Sequence, residues 1–387
     1  MNGDLFKEGG SLGLQAEGGA PLKIANRNKI MLHYIYNLAT DKYKGGLAGK
    51  FKFFLYLLSL AYGLAVVALI FIYRIRPRHL NCKVISVGNI TLGGTGKTSL
   101  VALIAQYLKE EGHKVAIISR GYKRSVACRR SPVAGHETMG DEPYMLKMNL
   151  KDIPVVVDAD RIRAANTAIR DYGVDTVILD DGFQQWRIKK DLEIVTIDAA
   201  HPFGNKNLIP RGILREPLSS LKRPDIFVLT KTNLNPDTQN IKDFLSSINP
   251  ESLIVDSIHM PLGFYRLGKN EELLKIDALK AKTVTLISGI GDPDSFEKLI
   301  ARLGINIGLA LRFPDHHPYL QEDLENVIQE SRKKNIDTIV TTEKDAVRLG
   351  SLQLTAYSLQ LLYLRITLAI TKNEQGFYNR LLQLYSV

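Results

Sequence analysis

Cysteine is scarce in this sequence: among its 387 residues only Cys82 and Cys128 occur. The two lie far apart without ligand-like spacing, so neither a disulfide framework nor a structural zinc site is expected. Blocks of five or six like charges are also missing, although the formal net charge is +11. Nucleic acid is therefore not the expected partner, and the basic excess suits an anionic membrane or a phosphorylated substrate.

One long run without charge extends from Phe53 to Tyr73. At about 1.5 Å of rise per residue, a helix of this length matches the ~30 Å hydrocarbon core of a bilayer. Lysines precede the run and arginines follow it, so the positive-inside rule assigns no orientation. The run predicts a membrane-associated helix, which either spans the bilayer or lies in one leaflet. The alternative is a core helix buried inside the protein.

The chain divides into four predicted parts. Residues 1–30 are rich in glycine without apolar periodicity and are interpreted as a disordered extension, and the membrane-associated helical segment follows at 31–78. Strand and helix patterns then alternate over 79–260, which predicts a P-loop core with a doubly wound, mostly parallel α/β sheet. A polar stretch near 260–280 separates this core from a smaller C-terminal α/β domain, predicted over 261–387.

The stretch SVGNITLGGTGKTSL at 86–100 is a candidate phosphate-binding loop, because an apolar strand precedes it and a helical pattern follows. It meets the consensus G-x-x-x-x-G-K-[ST] in its last three positions, whereas Thr91 stands at the first glycine position. Backbone N–H groups of such a loop surround the phosphates, the lysine reaches the β- and γ-phosphate oxygens, and the threonine hydroxyl ligates Mg²⁺. The alternative is a glycine-rich turn with a chance lysine. The predicted nucleotide-binding residues are Thr91, Leu92, Gly93, Gly94, Thr95, Gly96, Lys97 and Thr98.

Acidic pairs occur at two places. Asp180 and Asp181 end an apolar strand, where P-loop proteins hold Mg²⁺, and the alternative is an Asp-Asp-Gly turn. Asp141 and Glu142 come directly before an apolar helix pattern, and their spacing alone favours a structural role at the helix N-terminus. His316, between two prolines, is interpreted from its spacing as a surface residue, since no further His or Cys cluster completes a metal site.

Seven motifs, found in the same order, resemble those of the tetraacyldisaccharide 4'-kinases, the lipid A 4'-kinases of Gram-negative bacteria. They are VGNITLGGTGKT, SRGYKR, GDEPYML, LDDGFQ, LIPRGILREPLSSL, FPDHHPY and TTEKDAVRL, and the match as a whole extends over about residues 40–350. The resemblance implies transfer of the γ-phosphoryl group of ATP, with Mg²⁺, to the 4'-hydroxyl of a tetraacylated glucosamine disaccharide 1-phosphate in lipid A biosynthesis. It also implies a location at the cytoplasmic face of the inner membrane, a C-terminal domain that closes over the nucleotide, and no obligate protein partner.

The resemblance changes the interpretation of two residues. It implies that Asp141 is the catalytic base and that His316 pairs with it. Thr91 at the first loop position is the family's own form. The segment RGILREP departs from the family's usual AGPLREP at Arg211 and Ile213, which leaves Arg215 as its candidate for a phosphate contact.

Further roles follow for the polar residues around the loop. Thr98 and Asp180 are assigned to Mg²⁺, with Glu142 or Asp181 nearby or bound through water. Arg120, in SRGYKR, is a second candidate for neutralising phosphate charge.

The main alternative function is a membrane-associated P-loop GTPase or metal-centre maturation protein. VLTKTN at 228–233 is similar to the guanine-binding pattern N/T-K-x-D. Asn233 occupies the position of the aspartate that would bind the guanine N–H groups, which argues against this alternative.

Overall fold

The computed structural model describes residues 46–121, 139–235, 237–268, 272–350, 352 and 359–386. The expected extension at 1–30 and the start of the membrane-associated segment lie outside these residues. The described residues form nine α-helices and one continuous sheet of twelve strands. The mostly parallel α/β sheet and the N-terminal apolar helix are thus confirmed.

The elements have the following bounds. The strands are β1 (Lys83–Gly88), β2 (Val115–Ser119), β3 (Val155–Val157), β4 (Thr176–Asp180), β5 (Leu192–Asp198), β6 (Ile226–Thr230), β7 (Leu253–Arg266), β8 (Leu273–Leu274), β9 (Thr283–Ser288), β10 (Asn306–Arg312), β11 (Thr338–Thr342) and β12 (Gln360–Lys372). The helices are α1 (Gly46–Ile75), α2 (Lys97–Glu110), α3 (Asp141–Asn149), α4 (Arg161–Tyr172), α5 (Gln239–Ile248), α6 (Pro293–Arg302), α7 (Gln321–Lys333), α8 (Glu343–Leu349) and α9 (Glu374–Leu382).

The sheet consists of two parallel halves of opposite direction. Its strand order is β10-β9-β11-β12-β7-β6-β5-β1-β4-β2-β3, with β8 paired to β7. Strands from β3 to β7 run parallel and form the P-loop half, and β12 to β10 run parallel and form the C-terminal half. The halves meet where β7 and β12 pair antiparallel. The predicted boundary between residues 260 and 261 therefore lies inside β7. The strand direction reverses between β7 and its neighbour β12, and the sheet continues across this reversal.

The P-loop half has three layers because its strands alternate their side chains between two helical covers. In β1, Val84 packs in a cluster with Ala164 and Ala165 of α4. Ile85, its neighbour, packs in a second cluster with Leu100 of α2. Both faces of the strand are apolar, which is the pattern of a parallel sheet covered on each side.

Local signals set the helix boundaries. Asp160 accepts hydrogen bonds from the backbone N–H groups of Ile162 and Arg163, at 3.0 and 3.3 Å, and so caps the start of α4. Gly173 ends that helix in the left-handed conformation, with φ of 61°. Asp292 caps α6 in the same way, directly before Pro293.

Helix α1 has one docked stripe on an otherwise exposed apolar surface. Within it, Gly49–Ile75 is the one helix of the described residues long and apolar enough to cross a membrane. Its most apolar 18-residue window has a mean hydropathy of 2.5, and only 22% of that window is buried. The buried positions recur at helical spacing: Leu55, Ser59, Gly63 and Val66. This exposure, measured against the described residues, argues against the interpretation as a buried core helix.

The docked stripe of α1 contacts one segment of the P-loop half, residues 208–215. The Ser59 hydroxyl lies 2.8 Å from the carbonyl oxygen of Leu208 and accepts a hydrogen bond from the backbone N–H of Arg211 at 2.9 Å. The Tyr62 hydroxyl donates to the carbonyl oxygen of Arg215 at 2.8 Å. We name residues 208–215 the docking segment, because it joins α1 to the sheet.

Candidate active site

The glycine-rich loop lies between β1 and α2 in a conformation that requires glycine at two positions. Gly93 and Gly96 have φ values of 115° and 79°, in the region that side chains disfavour. A Cβ atom at Gly96 would also lie 2.8 Å from Nε2 of His259. Burial lowers the pKa of this histidine to about 4, so a neutral ring lies beneath the loop at physiological pH. The backbone can therefore approach a phosphate closely here.

The docking segment also supports the loop. Thr91 forms an isolated antiparallel bridge with Leu214, and the backbone N–H of Leu92 donates to the carbonyl oxygen of Ile213 at 2.8 Å. Thr95 is buried, with its hydroxyl 2.7 Å from that of Thr196 on β5. The loop is thus fixed from both sides before a ligand binds.

Cations neutralise Asp181, the second acid of the pair that ends β4. Its Oδ1 lies 2.8 Å from Nη1 of Arg215 and 3.6 Å from Nζ of Lys97. Burial alone would raise the pKa of Asp181, but Lys97 and Arg215 hold it below its usual value. The structure thus brings together three residues that the sequence singled out, with Thr98 at the start of α2 beside Lys97.

Asp180 has a different environment. Its side chain is 3% exposed and accepts a hydrogen bond from the Ser119 hydroxyl at 3.2 Å. Burial, and then the charge of Glu142, raise its pKa to about 6. A nearby cation would stabilise the ionised form of a carboxylate in this environment. Arg161, which the sequence analysis missed, is also 3% exposed and donates to the Asp180 carbonyl oxygen at 3.1 Å.

Asp141 and His316 meet although 175 residues separate them in sequence. Asp141 begins α3, as its spacing predicted, and its Oδ2 lies 3.2 Å from Nδ1 of His316. His316 lies in the loop after β10, with a positive φ of 58°. Asp141 is only 16% exposed and His316 29%, so the pair is half-buried rather than a surface feature.

Two residues of α8 complete the site, and the sequence analysis gave neither a role. Lys344 pairs with Glu142. Burial alone would raise the pKa of Glu142, but Lys344 and then Lys97 hold it below its usual value. Arg348 lies 3.1 Å from Asp141. Both belong to the motif TTEKDAVRL, whose charges are typical of a solvated helix face and therefore gave no signal of their own.

The remaining predicted residues lie at the edge of the site. Arg120 follows β2 and is exposed, and its charge lowers the pKa of Arg161, after the larger effect of burial. The second half of its motif, residues 122–124, lies outside the described residues. His317 faces away from the Asp141 pair, with its Nε2 2.9 Å from Oδ2 of Asp323 and its ring stacked on Phe313.

The carboxylates fit Mg²⁺ as a partner of bound phosphates rather than as an all-protein cage. Among the described residues, no three His, Cys, Asp or Glu side chains form a group that could hold a metal ion. Mg²⁺ bound with a nucleotide needs only one or two carboxylates, since phosphates and water supply the other ligands. Asp180 and Glu142 are close enough for one to raise the pKa of the other, and Thr98 adds a hydroxyl. This oxygen donor set suits Mg²⁺.

Known proteins resemble this chain over most of its length. The family model for tetraacyldisaccharide-1-P 4'-kinase matches residues 51–386. A tetraacyldisaccharide 4'-kinase of Halothermothrix orenii is 36% identical over 348 residues, which cover 84% of this chain and 90% of the relative. Another, of Elusimicrobium minutum, is 38% identical over 323 residues, covering 80% and 84%.

A solved structure agrees with these sequence matches. The crystal structure of the "apo" form of LpxK from Aquifex aeolicus in complex with ATP superposes with a TM-score of 0.68 at 26% identity. The similarity covers 85% of this chain and 98% of that one. The P-loop fold and the sequence family therefore point to the same group of proteins.

Proposed function

The chain belongs to the tetraacyldisaccharide 4'-kinase family, an ATP-dependent kinase family of lipid A biosynthesis, and from this premise we propose how its residues act. The reaction transfers the γ-phosphoryl group of ATP to the 4'-hydroxyl of a tetraacyldisaccharide 1-phosphate. One observation supports the assignment most: the half-buried Asp141–His316 pair joins the two halves of the sheet beside Glu142, whose pKa is also lowered by Lys97 of the loop. The proposed boundary at 260/261 then divides a nucleotide-binding half from a half that covers it.

The loop holds the triphosphate. Backbone N–H groups of residues 93–98 and the N-terminus of α2 point at the phosphates, and Lys97 neutralises the β- and γ-phosphate oxygens. Arg215 and Lys97 both lie close to Asp181, so both cations are placed beside the proposed position of the phosphates. In this proposal Arg120 adds a further cation at the rim.

Asp141 is proposed to accept the proton of the 4'-hydroxyl as that oxygen attacks phosphorus. With its proton on Nδ1, His316 would donate to Asp141 Oδ2 and so orient the carboxylate for the acceptor. Mg²⁺, held by Thr98 and Asp180 with Glu142 or Asp181 close by, would neutralise charge on the transferred group. Most of the acceleration comes from positioning and charge neutralisation, as is usual for phosphoryl transfer.

The proposed reaction has a direct test. Incubation of the full-length protein with γ-labelled ATP and the disaccharide lipid should give a labelled lipid, with its phosphate at the 4'-position. Unlabelled ATP should suppress the labelling, and unlabelled GTP at the same concentration should not. A protein that hydrolyses GTP and leaves the lipid unlabelled would support the GTPase alternative instead.

A location at the cytoplasmic face of the inner membrane is also proposed. Acyl chains gain about 0.8 kcal/mol for each CH₂ buried in lipid, so a tetraacyl substrate stays in the membrane and the enzyme must reach it there. Helix α1 offers the apolar surface: Leu64 and Phe71 are 74% and 70% exposed. Because its opposite stripe is docked along the docking segment, we propose that α1 lies in one leaflet.

Charges on the exposed face of α1 should therefore release the protein from membranes. The double variant Leu64→Glu/Phe71→Glu should lose most of its binding to anionic lipid vesicles, measured by co-sedimentation, because an acidic charge opposes insertion and is repelled by anionic headgroups. Tyr172→Glu, at an apolar position on α4 that is 57% exposed, serves as the control and should still bind. Undiminished sedimentation of the double variant would assign membrane binding to another surface.

A further inference from the structure

Arg348 touches the proposed catalytic base. It lies in the last turn of α8, only 7% exposed, with Nε 3.1 Å from Oδ2 of Asp141. The same carboxylate oxygen faces Nδ1 of His316 at 3.2 Å. Two groups of the C-terminal half thus converge on one oxygen of the P-loop half.

The same guanidinium also fixes the backbone around His316. Its Nη1 donates to the carbonyl oxygens of Gly289 and His317, both at 3.2 Å. The backbone N–H of His316 donates to that Gly289 carbonyl at 3.0 Å. One side chain therefore holds both members of the pair, the carboxylate directly and the imidazole through its own loop.

Buried groups on the other side keep the guanidinium in place. Asp345, with 0% exposure, lies 3.3 Å from Nη2 of Arg348. Its carboxylate is held in turn by the hydroxyl of Tyr319 at 3.0 Å, the backbone N–H of Gly289 at 3.0 Å and the hydroxyl of Thr342 at 2.6 Å. Arginine presents several donors in a rigid plane, so it can serve these partners simultaneously, whereas lysine cannot.

We propose that Arg348 is a positioning residue for phosphoryl transfer, which aligns the Asp141 carboxylate with His316. Because Asp141 starts α3 in the P-loop half, while Arg348 and His316 belong to the C-terminal half, the contact also makes the aligned pair depend on the two halves meeting. This inference rests on the proposed role of Asp141 as the base. It assigns Arg348 no contact with substrate.

The test compares Arg348→Met and Arg348→Lys in the full-length enzyme, each alone and combined with Asp141→Asn. Loss of alignment should lower kcat by about 100-fold in Arg348→Met, the scale of a displacement of about 1 Å at a reacting group. KM for ATP should stay within about twofold, since the nucleotide loop is untouched. Arg348→Lys should recover part of kcat, because it restores the charge without the planar fork. In the Asp141→Asn background, Arg348→Met should cause little further loss, because residues that act as a unit are not additive.

Arg312→Met provides a matched control. Arg312 pairs with Asp294 and Glu297 at 2.7 Å in the same half, and its loss should leave kcat unchanged. Unchanged kcat in Arg348→Met would overturn the proposal. So would an equal loss in both backgrounds accompanied by a lower Tm and weaker ATP binding, since that pattern describes a structural role. Full activity of Asp141→Asn alone would refute the role of Asp141 as the base. This result differs from those that would overturn the positioning role of Arg348.

Discussion

Asp141→Asn should lower kinase turnover by roughly 10²–10⁴-fold while ATP still binds, because a positioned base contributes about that much. The amide has nearly the same shape as the carboxylate but does not accept the proton of the acceptor hydroxyl. In the proposed mechanism nucleotide binding depends on the loop and the start of α2, whereas Asp141 acts on the acceptor hydroxyl. The measurement pairs steady-state kcat, with the disaccharide lipid as acceptor, with equilibrium binding of ATP.

Asp171→Asn is the matched control for this substitution. Asp171 is an exposed residue of α4, with its carboxylate 2.6 Å from Nε of Arg170. Asp171→Asn therefore also removes one ion pair from the same half of the sheet. Such exposed pairs contribute little to stability, and the control should keep full turnover. Wild-type turnover in Asp141→Asn would remove Asp141 from the role of base and leave its pair with His316 as a structural contact.

Lys97→Ala should weaken both nucleotide binding and turnover, lowering kcat/KM by roughly 10²-fold or more, as expected for the loss of a preorganised charge at the transferred group. The change also removes one of the two cations beside Asp181 and leaves that carboxylate with Arg215 alone. More uncompensated negative charge then faces the triphosphate. ATP binding, measured by displacement of a fluorescent nucleotide, should therefore fall together with kcat.

Lys109→Ala separates this effect from a general loss of charge on α2. Lys109 lies in the last turn of the same helix, 45% exposed and 2.8 Å from Asp152. Its removal should change neither ATP binding nor turnover. If Lys97→Ala bound ATP as tightly as the wild type, the loop would not hold the triphosphate in the proposed way.

Local patterns were sufficient for much of the fold. The alternating strands and helices predicted over 79–260 are present in the P-loop half, and α2 begins at Lys97, near the end of the loop motif. Sequence reasoning did not find β12, although it has 13 residues. Its burial is mixed, and its place in the sheet depends on antiparallel pairing with β7 more than a hundred residues earlier. No local period carries that information.

The site shows the same division between local and distant information. The loop from Thr91 to Thr98 has a sequence signature because consecutive residues make it. The Asp141–His316 pair has none, because it forms only after β10 and α3 are brought together, and spacing alone favoured structural or surface roles for both residues. Family resemblance supplied that prediction. Arg161 and Arg348 escaped notice for the same reason, since a charged residue in a helix gives no sign that the fold will bury it.

The docking of α1 has a consequence for which lipids can react. Ser59 and Tyr62 hold α1 against the docking segment, and that segment also contains Arg215, which is proposed to contact phosphate. If α1 lies in one leaflet, the height of the phosphate site above the bilayer surface is set by protein alone. A sugar attached directly to its acyl chains would then meet the transferred group at the right level, whereas the same sugar on a long hydrophilic spacer would rise past it. The enzyme would thus select its acceptor partly by vertical distance, independently of any contact with the sugar ring.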